Sequence, residues 1–371
     1  MEKTRLIALG ALAGLLLSGC SSTHVASAGA AGQAPVIRVQ PALATEPVPN
    51  DPDDPAIWIH PQDPARSLIL GTDKDNANGG LFVYGLDGKL AQSFTGILRP
   101  NNVDVEYGFR LGGRETDIAV LTERGKQRLR VFAIDRQTGR LTDVTGSTAV
   151  FQGEQGEKAA PMGIALYRRP ADGAVFAIVS RKTGDSGSYL GQYLLTDDGK
   201  GKVDCREVRR FGEFGGTGEI ESVIVDDEAG FVYYSDEEFG IRKYHADPDA
   251  PGAGRQLAIF GGEGYQGDRE GLAIYTLNGE GYLISTDQIK NGSRYYLYPR
   301  DGGPAHRHEP AIAVVEGGAD DTDGIEAVSK PLGERFPEGI LVVMNSKDRN
   351  FLIFDWRDIR KGLPREEPAA R

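Results

Sequence analysis

Cysteine is almost absent from this sequence, which has two cysteines, Cys20 and Cys205, among 371 residues. Cys20 lies in an N-terminal segment that we expect to be separate from the folded domain, so no disulfide framework can stabilise that domain. Cys205 is not the nucleophile of a cysteine phosphatase either, because Phe211 stands where the Cys-x5-Arg pattern requires an arginine. The fold must therefore depend on its core, for which the hydrophobic content of 39% is sufficient.

Positive charge is also scarce, with 42 lysines and arginines against 54 aspartates and glutamates and a net charge of −12. We expect no nucleic acid partner, because binding to a phosphate backbone requires a surplus of cations on the protein. A divalent cation, or an anionic substrate that carries such a cation with it, fits this surface better.

Long hydrophobic runs are lacking except near the N-terminus. Residues 6–17 form an apolar stretch after a positively charged start, and the stretch is too short to remain as a bilayer-spanning helix. The letters LSGC at 17–20 resemble the cleavage box of bacterial lipoproteins, in which the cysteine becomes the lipidated first residue. An ordinary secretory signal is the alternative.

These features predict the organisation of the chain. We expect a lipoprotein signal peptide over residues 1–19, a lipidated flexible tether over 20–44, a folded domain over 45–363 and a polar tail over 364–371. A serine rather than an aspartate follows Cys20, which favours the outer membrane as the destination. The expected protein is a monomer in the cell envelope, facing the periplasm or the cell surface, and its only membrane contact is a lipid on Cys20.

The folded region repeats. It has no helical period, and it alternates short apolar runs with turns rich in glycine and aspartate, which is typical of many short strands. An apolar strand that contains an aromatic residue and ends in a turn recurs at intervals of 48 to 61 residues. The aligned aromatic residues are Tyr84, Phe132, Tyr193, Tyr244, Tyr298 and Phe354.

Two further strand patterns precede each of these aromatic strands, so each of the six units has three consecutive strands. The intervening stretches, such as 88–96 and 254–262, can supply a fourth strand. The sequence therefore predicts an all-β fold, a six-bladed β-propeller. A parallel β-helix is disfavoured because its repeats are much shorter.

This topology gathers charged residues at one mouth of the channel. Successive antiparallel strands reverse direction, so the start of each first strand and the end of each second strand lie on the same face. In the first three units the second strands end in cations, namely Lys74, Arg124, Arg181 and Lys182. Acids and amides follow in the later units and at the starts of first strands, including Asp53, Asp54, Asn101, Asn102, Glu219, Glu221, Glu237, Asp268, Glu270, Gln288 and Asp323.

Such an oxygen-rich cluster favours calcium. Crowded carboxylates raise each other's pKa unless a cation neutralises them. Calcium accepts six to eight oxygen ligands in flexible geometry, whereas zinc prefers histidine or cysteine. The five histidines of the chain lie in loop or tether contexts. The arc of lysine and arginine beside the acids suits a phosphate-bearing polyanion.

The same residues resemble the β-propeller phytases over nearly the whole mature chain. The resemblance is carried by six segments in matching order and spacing: DDPAIW (53–58), GLFVYGLDGK (80–89), NNVDVEYGF (101–109), DDEAGFVYYSDEE (226–238), REGLAIY (269–275) and DTDGIE (321–326). The resemblance implies a six-bladed propeller and a calcium-dependent 3-phytase activity, which hydrolyses phosphate monoesters of phytate, myo-inositol hexakisphosphate.

The resemblance also implies roles for individual residues. Lys74, Arg124 and Lys182 match positions that bind phosphate, and Arg181, next to Lys182, is also expected to bind substrate. The residues expected to take part in catalysis are Lys74, Arg124, Lys182, Glu221 and Glu237. Several calcium ions are implied, with Asp53, Asp54, Asn102, Glu221, Glu237, Asp268, Glu270, Gln288 and Asp323 as ligands or their neighbours. The implied mechanism is direct in-line attack by a calcium-activated water on phytate, bound as its calcium salt, without a covalent phosphoenzyme.

The chain departs from the family pattern around the expected site. Asp75 stands where a second lysine is usual, Met162 replaces a tyrosine, Thr183 a glutamate, Glu106 an arginine and Arg242 a tryptophan. The family pattern implies a second phosphate-binding site that raises affinity for the substrate, and these changes alter the residues expected there. They make phosphatase chemistry a firmer expectation than strict preference for phytate.

Two other functions remain open from the sequence. A lactonase-like propeller with one divalent metal would need the acids but not the cations, and a non-catalytic propeller could bind a ligand at the same mouth. Other phosphatase and hydrolase classes are not indicated, because the chain contains neither an Arg-His-Gly-x-Arg-x-Pro motif nor a Gly-x-Ser-x-Gly motif.

Overall fold

The computed structural model describes residues 34–277 and 279–364. This part of the chain contains 25 β-strands in six sheets and one α-helix. The expected lipoprotein signal, the lipidation site Cys20 and nearly all of the polar tail lie outside the described residues. Within the described ranges, none of the helical segments has the length and apolar character needed to cross a bilayer.

The first two strands are short, and three four-stranded antiparallel sheets follow them along the chain. The short strands are β1 (Val36–Arg38) and β2 (Leu43–Ala44). The first sheet contains β3 (Pro52–Trp58), β4 (Leu68–Asp73), β5 (Gly80–Gly85) and β6 (Leu90–Thr95). The second contains β7 (Pro100–Leu111), β8 (Arg114–Glu123), β9 (Arg128–Ile134) and β10 (Leu141–Asp143). The third contains β11 (Pro161–Arg168), β12 (Val175–Arg181), β13 (Leu190–Asp197) and β14 (Val203–Phe211).

The remaining three sheets follow the same plan, and the chain ends in a short helix. The fourth sheet contains β15 (Val223–Asp226), β16 (Phe231–Asp236), β17 (Gly240–His245) and β18 (Ala258–Phe260). The fifth contains β19 (Leu272–Leu277), β20 (Glu280–Asp287), β21 (Arg294–Pro299) and β22 (Ala313–Glu316). The sixth contains β23 (Ile325–Val328), β24 (Ile340–Asn345) and β25 (Asn350–Asp355), and helix α1 is Trp356–Gly362.

The six sheets form the blades of a closed ring. The first strands of the blades contact one another in the cyclic order β3, β7, β11, β15, β19 and β23, and β23 contacts β3 again. These six strands therefore surround the central channel. The prediction of an all-β, six-bladed propeller is confirmed, and the stretches 88–96 and 254–262 supply the fourth strands β6 and β18.

The N-terminal strands join the last two blades. Strand β2 pairs with β25 and becomes the fourth strand of the sixth blade, and β1 adds in parallel to β22 at the edge of the fifth. The sheet structure thus begins at Val36, N-terminal to the boundary expected at residue 45. Because the first and last strands of the described residues pair in these two blades, their pairing holds the ring closed.

The core lies between neighbouring blades. In one contact, the ring of Phe351 in the sixth blade fills the space above Gly71 in the first, where an added Cβ would lie 2.2 Å from the ring. In another, Trp356 of α1 stacks on Tyr275 of the fifth blade, with ring centroids 3.5 Å apart. Packing of this kind fixes the blades relative to one another and so fixes the loops at the channel mouth.

Candidate active site

The first strand of each blade, which lines the channel and is called the inner strand below, places one side chain at the mouth near its start. In every blade this residue lies two positions before the first residue that pairs regularly with the second strand. In the first three blades a β-bulge separates a proline from that point, and bulges commonly re-aim side chains near active sites. The six equivalent residues are Asp53, Asn101, Met162, Glu221, Glu270 and Asp323.

Small residues next to these positions let the blades approach one another. An added Cβ on Gly163 would lie 1.6 Å from the carbonyl oxygen of Glu221, and one on Gly271 would lie 2.6 Å from that of Asp323. An added Cβ on Gly324 would lie 2.0 Å from a carboxylate oxygen of Asp54. Glycine is therefore required for the backbone of each following blade to come this close.

At the end of each second strand, a buried side chain is followed by a side chain at the mouth. Each strand ends in a buried polar residue that is bonded within its own blade: Asp73, Glu123, Arg181, Asp236, Asp287 and Asn345. Asp73, for example, accepts hydrogen bonds from the backbone N–H groups of Asn50 and Asp51 at 2.9 and 3.1 Å. The next residue in each blade belongs to the mouth: Lys74, Arg124, Lys182, Glu237, Gln288 and Ser346.

The alternation separates two neighbouring cations, Arg181 and Lys182. Arg181 is buried, donates to the carbonyl of Ser188 at 2.8 Å, pairs with Glu154 at 3.2 Å and lies over the ring of Phe151. These contacts tie the guanidinium to the segment before β11 and to the loop after β12. Substrate binding by Arg181 stays a prediction, and Lys182 takes the position at the mouth.

Lys74 lies between two carboxylates of different blades. Its ammonium group forms ion pairs with Asp53, at 2.9 Å, and with Asp323. The side-chain amide of Gln288 donates to the other oxygen of Asp323 at 2.5 Å. The first, fifth and sixth blades are thus joined at one point of the mouth, as the strand pattern predicts.

Arg124 is held by an amide. One N–H of its guanidinium donates to Asn101 Oδ1 at 2.5 Å, and the side chain also contacts the sulfur of Met162. Asn101 in turn donates to Glu221 Oε1 at 2.8 Å and to Asp53 Oδ2 at 3.1 Å. The Nε of Arg124 is buried and has no hydrogen-bond partner in the described part of the chain. A donor of this kind is suited to an anionic ligand.

The fourth and fifth blades supply a cluster of carboxylates. Ligand atoms of Glu219, Glu221 and Glu237 lie within 4.8 Å of one another, and so do those of Glu237, Asp268 and Glu270. The backbone N–H of Glu219 donates to Glu237 Oε2 at 2.7 Å. Lys182 forms an ion pair with Glu219.

Burial and mutual repulsion act together on these acids. Burial raises the pKa of Glu221 to about 7, and the charge of Asp53 adds to the effect. Burial likewise raises the pKa of Glu237 to about 8 and that of Glu270 well above its ordinary range, with neighbouring carboxylates contributing. Burial alone would lower the pKa of Lys74, but Asp53 and other acids raise it well above its usual value.

The formal charges of the side chains at the mouth, which form one network of ion pairs and hydrogen bonds, do not balance. Its seven carboxylates are Asp53, Glu219, Glu221, Glu237, Asp268, Glu270 and Asp323, and its three cations are Lys74, Arg124 and Lys182. With all seven carboxylates ionised, the excess of four negative charges would equal the charge of two divalent cations, and a bound cation would favour the ionised forms. Glu270 Oε2 is buried and lacks a hydrogen-bond partner among the described residues. An all-oxygen donor set with an unpartnered carboxylate oxygen fits a hard divalent cation such as calcium.

Two predicted metal ligands lie deeper in the channel. Asp54 and Asn102 line a small polar cavity together with Asp104, Ser222 and Glu326. Asp54 accepts a hydrogen bond from the backbone N–H of Val103 at 3.0 Å, and burial raises its pKa well above the ordinary value. The structure thus separates Asp54 and Asn102 from the carboxylate cluster at the mouth, while it brings the other predicted ligands together there.

Comparisons with known proteins identify the family of the chain. A model of the phytase family matches residues 3–366. The 3-phytase of Bacillus subtilis (strain 168) is 34% identical over 381 residues, which cover 98% of this chain and 94% of that protein. The chain belongs to the phytase family. The resemblance drawn from the sequence motifs is confirmed, and with it the expectation of an enzyme of the 3-phytase type, a phosphoric monoester hydrolase.

A solved structure gives a weaker likeness. The calcium-binding protein regucalcin of Agrobacterium tumefaciens strain C58 matches this phytase with a TM-score of 0.46 and 14% identity, over 84% of this chain and 87% of that one. A likeness at that TM-score supports no conclusion about this chain.

Two residues of the mouth were missing from the residues assigned a role from the sequence. Asn101 connects three side chains of the mouth, and Glu219 belongs to the carboxylate cluster and pairs with Lys182. The strand pattern placed both at the mouth but gave neither a role. The sixfold alignment of inner strands could have identified Asn101, because it occupies the position equivalent to Asp53 and Glu221.

The departures from the family pattern also have structural counterparts in this phytase. Asp75 accepts hydrogen bonds from the backbone N–H groups of Ala77 and Asn78, at 2.9 and 2.7 Å, and so closes the turn after Lys74. Met162 is the single apolar side chain among the six equivalent inner positions and contacts Arg124. The mouth is therefore less polar at the third blade than elsewhere.

Proposed function

We propose that this enzyme hydrolyses phosphate monoesters of phytate, or of related phosphate esters, in a calcium-dependent reaction at the mouth of the channel. The observation that carries the proposal is the arrangement of Lys74, Arg124 and Lys182 along one side of the mouth, beside seven carboxylates with an excess of negative charge. Cations alone would suit any anion. Cations next to a site for divalent metal suit a polyanion that is bound as its calcium salt.

The basic residues would bind the phosphate group. The buried, unpartnered Nε of Arg124 can donate to a phosphate oxygen while another N–H of the same guanidinium stays on Asn101. Lys74 and Lys182 have flexible side chains and can each neutralise a further oxygen. Positive charge held where negative charge develops in the transition state typically accelerates such reactions by about 100- to 1000-fold for each donor.

The carboxylates would hold the metal. The candidate ligands at the mouth are Asp53, Glu219, Glu221, Glu237, Asp268, Glu270 and Asp323, with Gln288 as a neighbouring amide. When bound, calcium would neutralise phosphate charge and make a nearby water more acidic. Glu221 or Glu237 would orient the attacking water and accept its proton, and the phosphoryl group would pass directly to that water without a covalent enzyme intermediate.

A substrate panel tests this proposal. Release of inorganic phosphate from phytate, lower inositol phosphates and simple monoesters is measured with the full-length enzyme in calcium, in excess chelator, and after calcium is restored; a lactone serves as the non-phosphate substrate. We expect release from phytate that chelator abolishes and calcium restores. Release that persists in chelator would contradict the calcium requirement, and hydrolysis of the lactone alone would contradict the phosphatase assignment.

We also propose that the enzyme works as a monomer attached to the outer membrane by a lipid on Cys20. The support is the cleavage-box sequence LSGC at residues 17–20 and the small, polar segment that follows it. Labelling of cells with a radioactive fatty acid should mark the wild type and leave Cys20→Ala unlabelled. Equal labelling of the two proteins would contradict the anchor.

A further inference from the structure

The lysines of the mouth occupy oxygens that the proposed metal site needs. The Lys74 ammonium lies 2.9 Å from Asp53 Oδ1 and also pairs with Asp323, and the Lys182 ammonium pairs with Glu219. Asp53, Asp323 and Glu219 are all among the candidate metal ligands. In this arrangement each lysine is a counter-cation inside the site rather than a free group that waits for phosphate.

A divalent cation and these ammonium groups compete for the same carboxylates. Calcium approaches its oxygen ligands to about 2.3–2.6 Å, so an ammonium at hydrogen-bond distance from the same oxygen would be repelled by it at close range. A carboxylate can hold both cations, but their repulsion weakens the binding of each unless the ammonium moves away. Lysine has a flexible four-carbon side chain, and the exposed fractions of the Lys74 and Lys182 side chains are 21% and 31%, which leaves both free to turn towards solvent or a ligand.

Arg124 is arranged differently. Its guanidinium bonds to the neutral amide of Asn101 at 2.5 Å and not directly to a carboxylate. Arg124 can therefore bind phosphate without leaving a metal ligand. The mouth thus contains two kinds of cation: an arginine already positioned for an anion, and two lysines that must first leave carboxylates.

We infer that Lys74 and Lys182 couple the two ligands of the site, so that phosphate binding draws them from Asp53, Asp323 and Glu219 and thereby strengthens calcium binding. The inference rests on the proposed function, since it takes the carboxylates as the calcium site. Coupling is reciprocal: calcium strengthens phosphate binding by the same factor, and typical coupling factors are about 5- to 150-fold. Without calcium, Lys74 and Lys182 would stay paired with Asp53, Asp323 and Glu219. Bound calcium would displace them from these carboxylates and make them available to phosphate.

Calcium titration in the absence of any phosphate separates this coupling from simple bridging of calcium by phosphate. The full-length protein is stripped of metal, and the calcium Kd is measured by calorimetry for the wild type, for Lys182→Met and for Lys74→Met. Lys126→Met is the control, because Lys126 follows Arg124 by two positions, is exposed, and makes no ion pair with a described residue. Lys182→Met is the safer variant, since it leaves a single, partly exposed carboxylate unpaired.

We expect both lysine variants of the mouth to bind calcium more tightly than the wild type without phosphate, by about 5-fold or more, and Lys126→Met to match the wild type. Addition of inorganic phosphate, at a concentration that keeps calcium in solution, should tighten calcium binding more in the wild type than in Lys182→Met. If the variants and the wild type have equal calcium Kd values without phosphate, or if Lys126→Met is tightened as much as Lys182→Met, the coupling is refuted while the calcium site stands. If none of the four proteins binds calcium, the proposed function itself fails.

Discussion

Replacement of Arg124 by alanine removes the one cation of the mouth that is already positioned for an anion. In the structure the Arg124 side chain bonds to Asn101 and contacts Met162, and its buried Nε has no partner among the described residues. The loss of one such electrostatic donor costs about 100- to 1000-fold in rate, which corresponds to about 3–4 kcal/mol of transition-state stabilisation. We therefore expect kcat for phytate to fall by this factor in Arg124→Ala.

The assay is steady-state phosphate release from phytate at saturating calcium, with thermal unfolding and the calcium Kd measured on the same samples. Both of these should remain near the wild-type values, because the guanidinium pairs directly with no carboxylate of the proposed metal site. Arg114→Ala is the matched control, since Arg114 is exposed at the first position of β8, whereas Arg124 directly follows the last. The reasoning is refuted if Arg124→Ala keeps its rate within a few-fold, or if Arg114→Ala loses as much.

Three further predictions concern the scaffold of the propeller. Gly163→Ala would bring a Cβ to 1.6 Å from the carbonyl oxygen of Glu221, so both the thermal midpoint and calcium affinity should fall; an unchanged calcium Kd would contradict the role of this close approach. Trp356→Ala removes a fully buried ring stacked on Tyr275 and should lower the free energy of unfolding by about 3–5 kcal/mol in urea titrations, and a loss below 1 kcal/mol would contradict its role in the core. Burial lowers the pKa of His308 to about 4, so between that pH and about 6.5 the unfolded chain binds more protons and stability is lost as the pH falls. His308→Gln should reduce this loss by up to about 3 kcal/mol. Parallel profiles of stability against pH for the two proteins would exclude a contribution from His308.

The sequence was sufficient to predict which strand ends meet at the mouth. Strand direction reverses at each turn, so a repeat of three strands fixes the face on which each end lies, whatever the details of packing. Asp323 lies 249 positions from Lys74 in the chain, and the structure joins both to Asp53 in one ion-pair network as that argument requires. The same reasoning gave the six blades and the positions of β6 and β18.

The direction of individual side chains could not be predicted in the same way. Arg181 and Lys182 are adjacent cations at one strand end, and only the pairing register decides that the first is buried within its blade and the second lies at the mouth. The β-bulges that set this register at the inner strands depend on contacts between blades, which the order of residues does not reveal.

Closure of the ring was also beyond the sequence pattern. The strands β1 and β2 contain three and two residues, too few to show a period, and their partners β22 and β25 lie some 300 residues further along the chain. The composition of this segment resembles that of a tether. Its pairing follows from the unpaired edges of the last two blades and not from any local propensity.

The central claim is that the carboxylates of the mouth hold divalent cations beside the phosphate-binding residues. Anomalous diffraction from crystals grown with calcium tests it most directly, because the anomalous peaks locate the metal without reference to activity. We predict peaks between Glu221, Glu237 and Glu270, within reach of a phosphate bound to Arg124. Peaks confined to other parts of the propeller, with these carboxylates unoccupied at saturating calcium, would contradict the account.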